Sequence, residues 1–588
     1  MKSTTCPLDC FDSCSMILGE DGKLRGDKNH PITQGYLCHH LNNYHKIKRV
    51  EKPVYQGKEI ELDEALEILK SRLETVEPSK TIYFKGSGNL GVMQSVTKIF
   101  FDKYGATLTK GGLCEDAGAH GIKEGRGASL VLSPNIVKNS EVVIVWGRNS
   151  SITNSHMLPA LKGKKLIVID PRVTDIAKKA DIHVQIKPRA DIYLAMFLSR
   201  LAYMEQMEDV EFIEKRCENF DYFLDEINGI PIVEYIDKSG VDLATVGDIL
   251  SLIEGRKVSI LVGIGVQKYS FGHSVLRAID SFAALLGLFG KEGCGVGFIN
   301  DSSYGFGKPF SSKTNKSRKR VSKPTVNFGN FDISFIQDAN PMTQLPCTPK
   351  VKEGLEKSKF VVYFGLFENE TSKMADLIIP AKTFLEKEDL KLSYGHEYVG
   401  FMPKLIDSDI GISEYELCTY LMREFKFGEI KSKKEYIDKV LGDNCIEKDG
   451  FLISKYLVSS PYSEKFYTQD EKFIFFDEYD DDFDEKEGDF YLLTVKQKRS
   501  LNSQFFRDDY LRVPPTLGLK DEDEVSLRCG EHECTYEVRV DESLRDDCLA
   551  LYSGGKKSNM LTPYLVSQEG DGAVYQELKV DIIRGALK

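Results

Sequence analysis

From residue 60 onward the chain repeats one alternation, a short apolar and β-branched run followed by a segment of helical periodicity. LDEALEILKSRL (62–73) carries apolar residues at helical spacing, with Asp63 near its N-cap. TIYF (81–84) reads as a short buried strand and VMQSVTKIFFDKY (92–104) as the helix that follows. EVVIVWG (141–147) and KKLIVID (164–170) are strands flanking a loop and a short helix, and VSILVGIG (258–265) precedes a helical run from His273 to Phe289. ISFIQ (333–337) and FVVYFG (360–365) bracket another helix. Such an order predicts an α/β class with parallel sheets and helices on both faces. At 588 residues the chain exceeds what one core can serve, so several units are required.

The alternation then stops. DEYDDDFDEKEGD (477–489) is a like-charge run unsuited to a core and reads as an exposed linker; beyond it YLLTV, EVSLRC and YEVRV predict a β-rich terminal domain. SSKTNKSRKRVSK (311–323) reads as a solvated basic loop. A formal net charge of -12 opposes general attraction to nucleic acid or an anionic membrane. No apolar segment precedes the first cysteines, and the longest apolar stretch, FAALLGLF (282–289), is far short of a membrane span. A cytoplasmic protein without a transmembrane segment is expected.

Thirteen cysteines are present, four of them within the first 38 residues. Cys6, Cys10, Cys14 and Cys38 form C-x3-C-x3-C-x23-C in a stretch rich in Cys, Gly, Pro and His, with little periodicity. Such a stretch calls for something other than apolar burial to hold it. An odd cysteine total in a reducing compartment argues against a disulfide framework. Four thiolates can close a zinc site or cap a cubane iron–sulfur cluster, and structural thiols remain a third reading. Three grouped ligands and one distant ligand favour the cluster over paired zinc knuckles.

CPLDCFDSC (6–14) followed by GYLCHH (35–40) resembles the N-terminal cluster region of the molybdopterin oxidoreductase family, the molybdenum or tungsten bis-pterin enzymes. GGLCEDAG (111–118), VIVWGRNS (143–150), HMLPAL (156–161), LIVIDPRVTDIAKKAD (166–181) and GIGVQKY (263–269) are similar to further family blocks. So are DANP (338–341), ADLIIPAKTFLEKED (375–389), LNSQF (501–505) and SNMLTP (558–563). The resemblance implies parallel-sheet α/β domains around a bis-pterin cleft, a small N-terminal iron–sulfur domain and a C-terminal β-barrel-like domain. The corresponding boundaries are 1–50 for the cluster domain, 51–130 with 331–476 for a discontinuous α/β domain, 131–330 for a Rossmann-like domain, 477–489 for the linker and 490–588 for the barrel. It also implies a [4Fe-4S] cluster on Cys6, Cys10, Cys14 and Cys38, with bis-molybdopterin guanine dinucleotide and molybdenum or tungsten on Cys114.

Cys114 follows two glycines and precedes a helical run, where unpaired N–H groups and the helix dipole favour a thiolate; a buried apolar thiol is the plainer reading. Glu115, Asp116 and His120 follow within two turns as candidates for proton handling, although helix capping explains either carboxylate. Trp146, Gly147, Arg148, Asn149 and Ser150 stand at the carboxyl end of a strand, where open α/β sheets bind ligands; Asp170 and Arg172 repeat that placement. By resemblance these residues contact the pterin nucleotides. Gly263, Gly265, Gln267, Asn340, Lys387, Glu388 and Asp389 are further contacts, with Asn502, Ser503, Gln504, Asn559 and Thr562 from the terminal domain. Where the family has Pro-Gly-x-Asp, this chain has Pro188-Arg189-Ala190-Asp191, which predicts an altered turn with Asp191 still a ligand.

G86-x-G88-x-x-G91 lies between a strand and a helix, the context of a dinucleotide fingerprint, but no second strand ends on an acidic residue about 20 residues later. Close packing explains those glycines better. The resemblance implies two-electron oxidoreductase chemistry on a small-molecule substrate, with a separate electron-transfer protein or iron–sulfur subunit. Two departures bear on this: Glu115 follows Cys114 where formate dehydrogenases have His, and His40 stands where the family commonly has Lys or Arg. They sustain the alternatives of a non-redox hydratase or lyase and of a noncatalytic respiratory-type subunit.

Overall fold

Strands apolar at every position cannot lie at a wet surface, and the fold of the computed structural model places them inside two parallel sheets. It describes residues 2–42, 44–299, 301–310, 319–457, 460–479 and 487–583. The first sheet has the order Ile182–Val184, Lys165–Ile169, Val142–Trp146, Val258–Val262, Gly295–Gly297, with all neighbours parallel. Its two central strands are buried throughout, between the helices Asp191–Met204 and Gly272–Leu285 on one face and Leu158–Leu161 on the other.

The second sheet has eight strands. Six run parallel, in the order Arg320–Ser322, Thr107–Lys110, Thr81–Lys85, Ile333–Gln337, Phe360–Gly365, Leu377–Pro380. Val54–Tyr55 and Lys58–Glu59 close its edge antiparallel. The strands expected from the alternation are all present, within a residue at each end except that the run 258–265 leaves the sheet at Val262 and continues as the 3-10 turn Ile264–Gln267. At the carboxyl end, six strands from Phe490–Val495 to Lys579–Ile583 form a closed barrel around Leu511, Val513, Leu527, Val538 and Leu549.

Several local expectations are corrected. The helix Leu62–Thr75 has Glu61 rather than Asp63 at its N-cap, with no side-chain cap bond. The predicted helix over 92–104 is a 3-10 turn Val92–Ser95 followed by Thr97–Tyr104; the Asp389 carboxylate accepts the Met93 N–H at 2.8 Å and so pins the first turn. Residues 319–323 of the basic stretch are structured: Arg320–Ser322 pairs with Leu108–Lys110, and Lys323 Nζ donates to Lys85 O at 2.9 Å. The rest of that stretch, 311–318, and 480–486 of the acidic run lie outside the described residues.

The first 50 residues do not stand apart. Lys2–Thr5, Ser15–Leu18 and Leu24–Gly26 form a three-stranded antiparallel sheet. Leu8, Met16, Leu24, Leu41 and Tyr44 share one apolar core with Phe384, Leu385 and Met402, so burial against residues distant in sequence organises the segment that periodicity left unexplained.

Candidate active site

The loops after the parallel strands of both sheets converge with loops of the barrel on one cavity of about 600 Å³. Gly147 to Asn149, Asp170 to Arg172 and Gly263 to Val266 come from the five-stranded sheet, Gly86 to Gly88 and Gly111 to Asp116 from the larger one, and Leu493 to Lys498 from the barrel. Carboxyl ends of strands are open to ligands because the chain must turn away there, leaving backbone groups and loop side chains to face the gap.

Cys114 sits on the loop between the strand Thr107–Lys110 and the helix Asp116–Arg126. A Cβ on Gly112 would fall 2.0 Å from an Asp116 carboxylate oxygen, so this tight loop requires that glycine. Gln267 fixes its carbonyl side: Nε2 donates to Cys114 O at 2.8 Å, while Oε1 accepts from Gly118 N at 3.0 Å. Lys268 Nζ donates to Leu113 O at 2.8 Å and also to Cys114 O. Burial pushes the Cys114 thiol well above its ordinary value, and the Glu115 and Asp9 carboxylates add to this against the opposing Lys268 ammonium. Burial therefore opposes the thiolate that a helix N-terminus favours.

Glu115 and Asp116 line the cavity with Cys114, and burial raises both carboxyls, Glu115 further through its neighbour Asp116. His120 is turned away from it, with Nε2 3.5 Å from carboxylate oxygens of both Glu124 and Glu569.

Around the other loops, Gly147 has φ +59°, and a Cβ on Gly263 would stand 1.8 Å from Gly147 O, so these loops touch backbone to backbone. Trp146 and Ser150 lie buried behind the lining. Arg148 is turned inward, donating to Asn154 Oδ1 at 2.7 Å with its guanidinium over the Phe11 ring, and Asn154 in turn donates to Asp12 Oδ1 at 2.6 Å. Arg172 reaches the barrel through Asp541 at 3.2 Å and Ser543.

Asp191 accepts the Trp146 indole N–H at 2.7 Å, and burial pushes its carboxyl up to about 7; burial lifts Asp170 to about 6. The folded state thus holds the Asp191 proton more tightly than the unfolded chain does. Its contribution to stability is complete below about pH 4 and is lost as pH rises toward 7. An Asp191→Asn variant, which still accepts from Trp146, is expected to gain stability over the wild type across that window, by on the order of a few kcal/mol at pH 8. Denaturant titrations at pH 4.5 and pH 8 read the difference, and an equal gap at both refutes the assignment.

Arg189 corrects the expectation of an altered turn. It takes φ +71°, the left-handed conformation a glycine supplies freely, and is held there by a buried ion pair with Glu577 at 2.8 Å and by the Tyr269 hydroxyl accepting its backbone N–H. Arg189→Ala and Arg189→Gly both lose the ion pair, but only alanine retains the left-handed strain. The glycine variant is expected to be about 1 kcal/mol more stable than the alanine variant in urea melts; equal midpoints sink this account.

The remaining expected contacts divide. Gly265, Asn502, Gln504 and Asn559 line the main cavity. Asn340, Lys387 and Ser503, again with Gln504, line a side cavity of about 60 Å³. Lys387 is paired with Glu414 at 2.6 Å, and Asn340 donates to Glu370 at 2.9 Å. Asp389 is committed to the backbone at Met93 and Leu390, Thr562 to Cys347 N, and Glu388 is exposed, so none of these three lines either cavity. A Cβ on Gly86 would meet Asp338 O at 2.4 Å and one on Gly91 the Asp389 carboxylate at 2.0 Å, the close packing expected of that glycine run.

Cys6, Cys10, Cys14 and Cys38 line the same cavity as Cys114. Yet among the described residues no group of three or more His, Cys, Asp or Glu side chains is placed to hold a metal ion. The expected [4Fe-4S] cluster on those four cysteines, and the molybdenum or tungsten with bis-molybdopterin guanine dinucleotide on Cys114, do not match this donor arrangement. Burial pushes the Cys6 thiol up to about 12 and raises Cys10, Cys14 and Cys38 as well. His40 stacks on Phe505 with ring centroids 4.4 Å apart, and burial lowers it to about 4, so it is no cation at neutral pH.

The sequence pattern of the molybdopterin oxidoreductase family matches residues 49–401, more than half of the chain. The chain belongs to that family. It is accordingly an enzyme of the molybdopterin oxidoreductase family, and several curated relatives agree. Probable oxidoreductase YyaE of Bacillus subtilis is 28% identical over 491 residues, covering 77% of this chain and 73% of that protein. The F420-dependent formate dehydrogenase subunit alpha of Methanocaldococcus jannaschii is 26% identical over 448 residues, 66% of this chain and 64% of that one, so the match spans just under two thirds of that relative's length. Among solved structures, acetylene hydratase from Pelobacter acetylenicus superposes with a TM-score of 0.79 at 16% identity, over 100% of both chains, and shares the fold. Among the described residues no helix is long and apolar enough to cross a membrane.

Sequence reasoning on this family member missed the residues that close the cavity around Cys114. Tyr394 lines it and donates its hydroxyl to Asp9 Oδ1 at 2.9 Å, while Asn502 Nδ2 donates to Asp9 Oδ2 at 2.7 Å. Lys85, Lys268 and Lys323 also line it. Lys268 adjoins the singled-out Gln267 and was within reach of the GIGVQKY block; Tyr394 and Lys323 carried no local signal, since only the tertiary fold brings them to Cys114.

Proposed function

We propose that this enzyme adds water to, or eliminates it from, a small molecule held beside Cys114, as a non-redox hydratase or lyase. The observation that carries this reading is the distribution of proton-handling groups in one cavity. Glu115 and Asp116 flank the Cys114 loop as carboxyls whose protonated form burial favours, and the hydrogen-bonded pair of Asp9 and Tyr394 lines the same space. Hydration needs a donor for the carbon that gains a proton and an acceptor that orients water at the other carbon. Glu115 is suited to the first role. The Asp9 carboxylate, fixed by Tyr394 and Asn502, is suited to the second. The end-to-end likeness of fold to acetylene hydratase supports the same reading.

A two-electron oxidoreductase working with a separate electron-transfer protein is the second reading, favoured by the names of the sequence relatives. Anaerobically purified protein separates them: acetylene is supplied and acetaldehyde measured, in parallel with formate and an artificial electron acceptor. A water adduct formed without acceptor is the expected result. Acceptor reduction by formate, with no adduct from acetylene or larger unsaturated compounds, overturns the hydratase reading.

A further inference from the structure

The side cavity of about 60 Å³ has no task in the chemistry proposed so far. Leu8, Gly88, Gln344 and Gln504 line both it and the cavity that holds Cys114, so a single layer of residues parts the two spaces. Gly88 keeps that wall thin: a Cβ there would stand 3.0 Å from Asp338 O and 3.3 Å from Gln504 Nε2.

The Gln504 amide is the movable part of the wall. Nε2 donates to Gly88 O at 3.1 Å, whereas Oε1 is inaccessible and accepts no hydrogen bond among the described residues. A buried amide oxygen left without a donor is costly, so the closed position is only lightly favoured. Turning the amide breaks one hydrogen bond and brings Oε1 within reach of a donor. The backbone stays in place, because Gln504 is fixed by the short hairpin that pairs Ser500–Leu501 with Gln504–Phe505.

Water is the occupant that the smaller space fits. It has room for about two molecules or more, since one takes roughly 30 Å³ in the liquid. Asp338 Oδ2 accepts Gln94 Nε2 at 2.8 Å, which leaves the other carboxylate oxygen without a hydrogen-bond donor among the described residues. Ser503 Oγ accepts Gln344 Nε2 at 3.3 Å and keeps its own proton to donate. The two lysines of the lining are already paired, Lys387 with Glu414 at 2.6 Å and Lys382 with Glu416 at 3.1 Å, so an anion finds no free cation there. Asn369 and Lys382 are half-buried and Glu416 is exposed, so the space lies against the surface and can refill from solvent.

We infer that the side cavity is a water chamber that opens into the Cys114 cavity through Gln504. That this chamber supplies the water consumed in turnover rests on the hydratase reading. A molecule filling the main cavity excludes solvent from its own path, while each addition takes one water, whose hydrogen and hydroxyl go to the two carbons of the multiple bond with no electron leaving the pair of reactants.

Crystals of the anaerobically purified protein test the chamber without turnover. Ordered waters are expected in the side cavity, one of them hydrogen-bonded to Asp338, with an unbroken file of waters into the main cavity in Gln504→Ala and an interrupted one in Gln504→Met, which keeps the length and loses the polar atoms. With saturating unsaturated substrate, Gln504→Met is expected to lower kcat for water addition about tenfold and to leave KM within about twofold, whereas Gln504→Ala keeps kcat within about threefold of the wild type. A merely structural glutamine predicts the opposite order, because alanine removes more packing than methionine does. A dry side cavity, a closed wall in the alanine variant, or a kcat that is equal in the two variants or lower in alanine overturns the inference. Ordered waters and an open wall in the alanine variant, with no water addition by the wild type, would leave the chamber standing and sink the hydratase reading; water addition by a protein whose side cavity is dry would do the reverse.

Discussion

Replacing Asp280 with alanine is expected to destabilise the protein by about 3–5 kcal/mol, read as a large fall in the denaturant midpoint. Asp280 lies on the helix Gly272–Leu285 and accepts Arg126 Nε at 2.6 Å and Arg126 Nη2, while Arg126 Nη1 donates to Val296 O at 3.1 Å. Both side chains are essentially inaccessible, and Arg126 packs over the Phe289 ring at 5.0 Å. Removing the carboxylate would leave a guanidinium buried, with its desolvation uncompensated. Arg126 is the last residue of the helix that begins beside Cys114, so the variant should also loosen the loop that presents Cys114 and Glu115. A double change, Arg126→Met with Asp280→Leu, is expected to recover most of the loss because neither charge remains. A single-variant loss below about 1 kcal/mol contradicts this account.

Glu115→Gln is expected to lower kcat for water addition by about 10²–10⁴-fold with an unchanged unfolding midpoint. The glutamine keeps the side-chain shape and loses the transferable proton. The sign of the pH dependence follows from the raised carboxyl: the protonated form persists to higher pH than in a free glutamate, and the rate falls as pH rises through that raised value. The variant should lose this alkaline limb. Asp9→Asn is expected to act differently, since the Tyr394 hydroxyl and Asn502 amide that orient the carboxylate are both donors; it should impair water orientation and leave the Glu115 limb in place. A glutamine variant with wild-type rate and pH profile excludes Glu115 as the acid.

The fold class was legible because period and burial coincide. Val142–Trp146, Val258–Val262 and Phe360–Gly365 are buried at every position and, Ser259 aside, built of apolar and aromatic residues and glycine, which only a strand covered on both faces tolerates, and each appears where the runs predict it. The family was legible in the blocks around Cys114, Trp146 and Asp170, which local turn chemistry holds together. Less local features were not legible. The N-terminal segment looked unsupported because its core partners, Phe384, Leu385 and Met402, lie over 300 residues away. Arg189 looked like a defect because the carboxylate that holds its left-handed turn is Glu577.

What the sequence determined by itself was therefore the order of strands and helices, the terminal barrel and the loops that reach the strand ends. The tertiary structure alone decided the protonation and pairing of the groups on those loops. Burial raised the Cys114 thiol and the Glu115 and Asp191 carboxyls, and the assembled fold brought Lys85, Lys268 and Lys323 to the cavity that Cys114 lines. Charge is a long-range property of the assembled molecule: its energy depends on which groups share a desolvated space, and residues far apart in the chain share that space only after the sheets and barrel have closed on it.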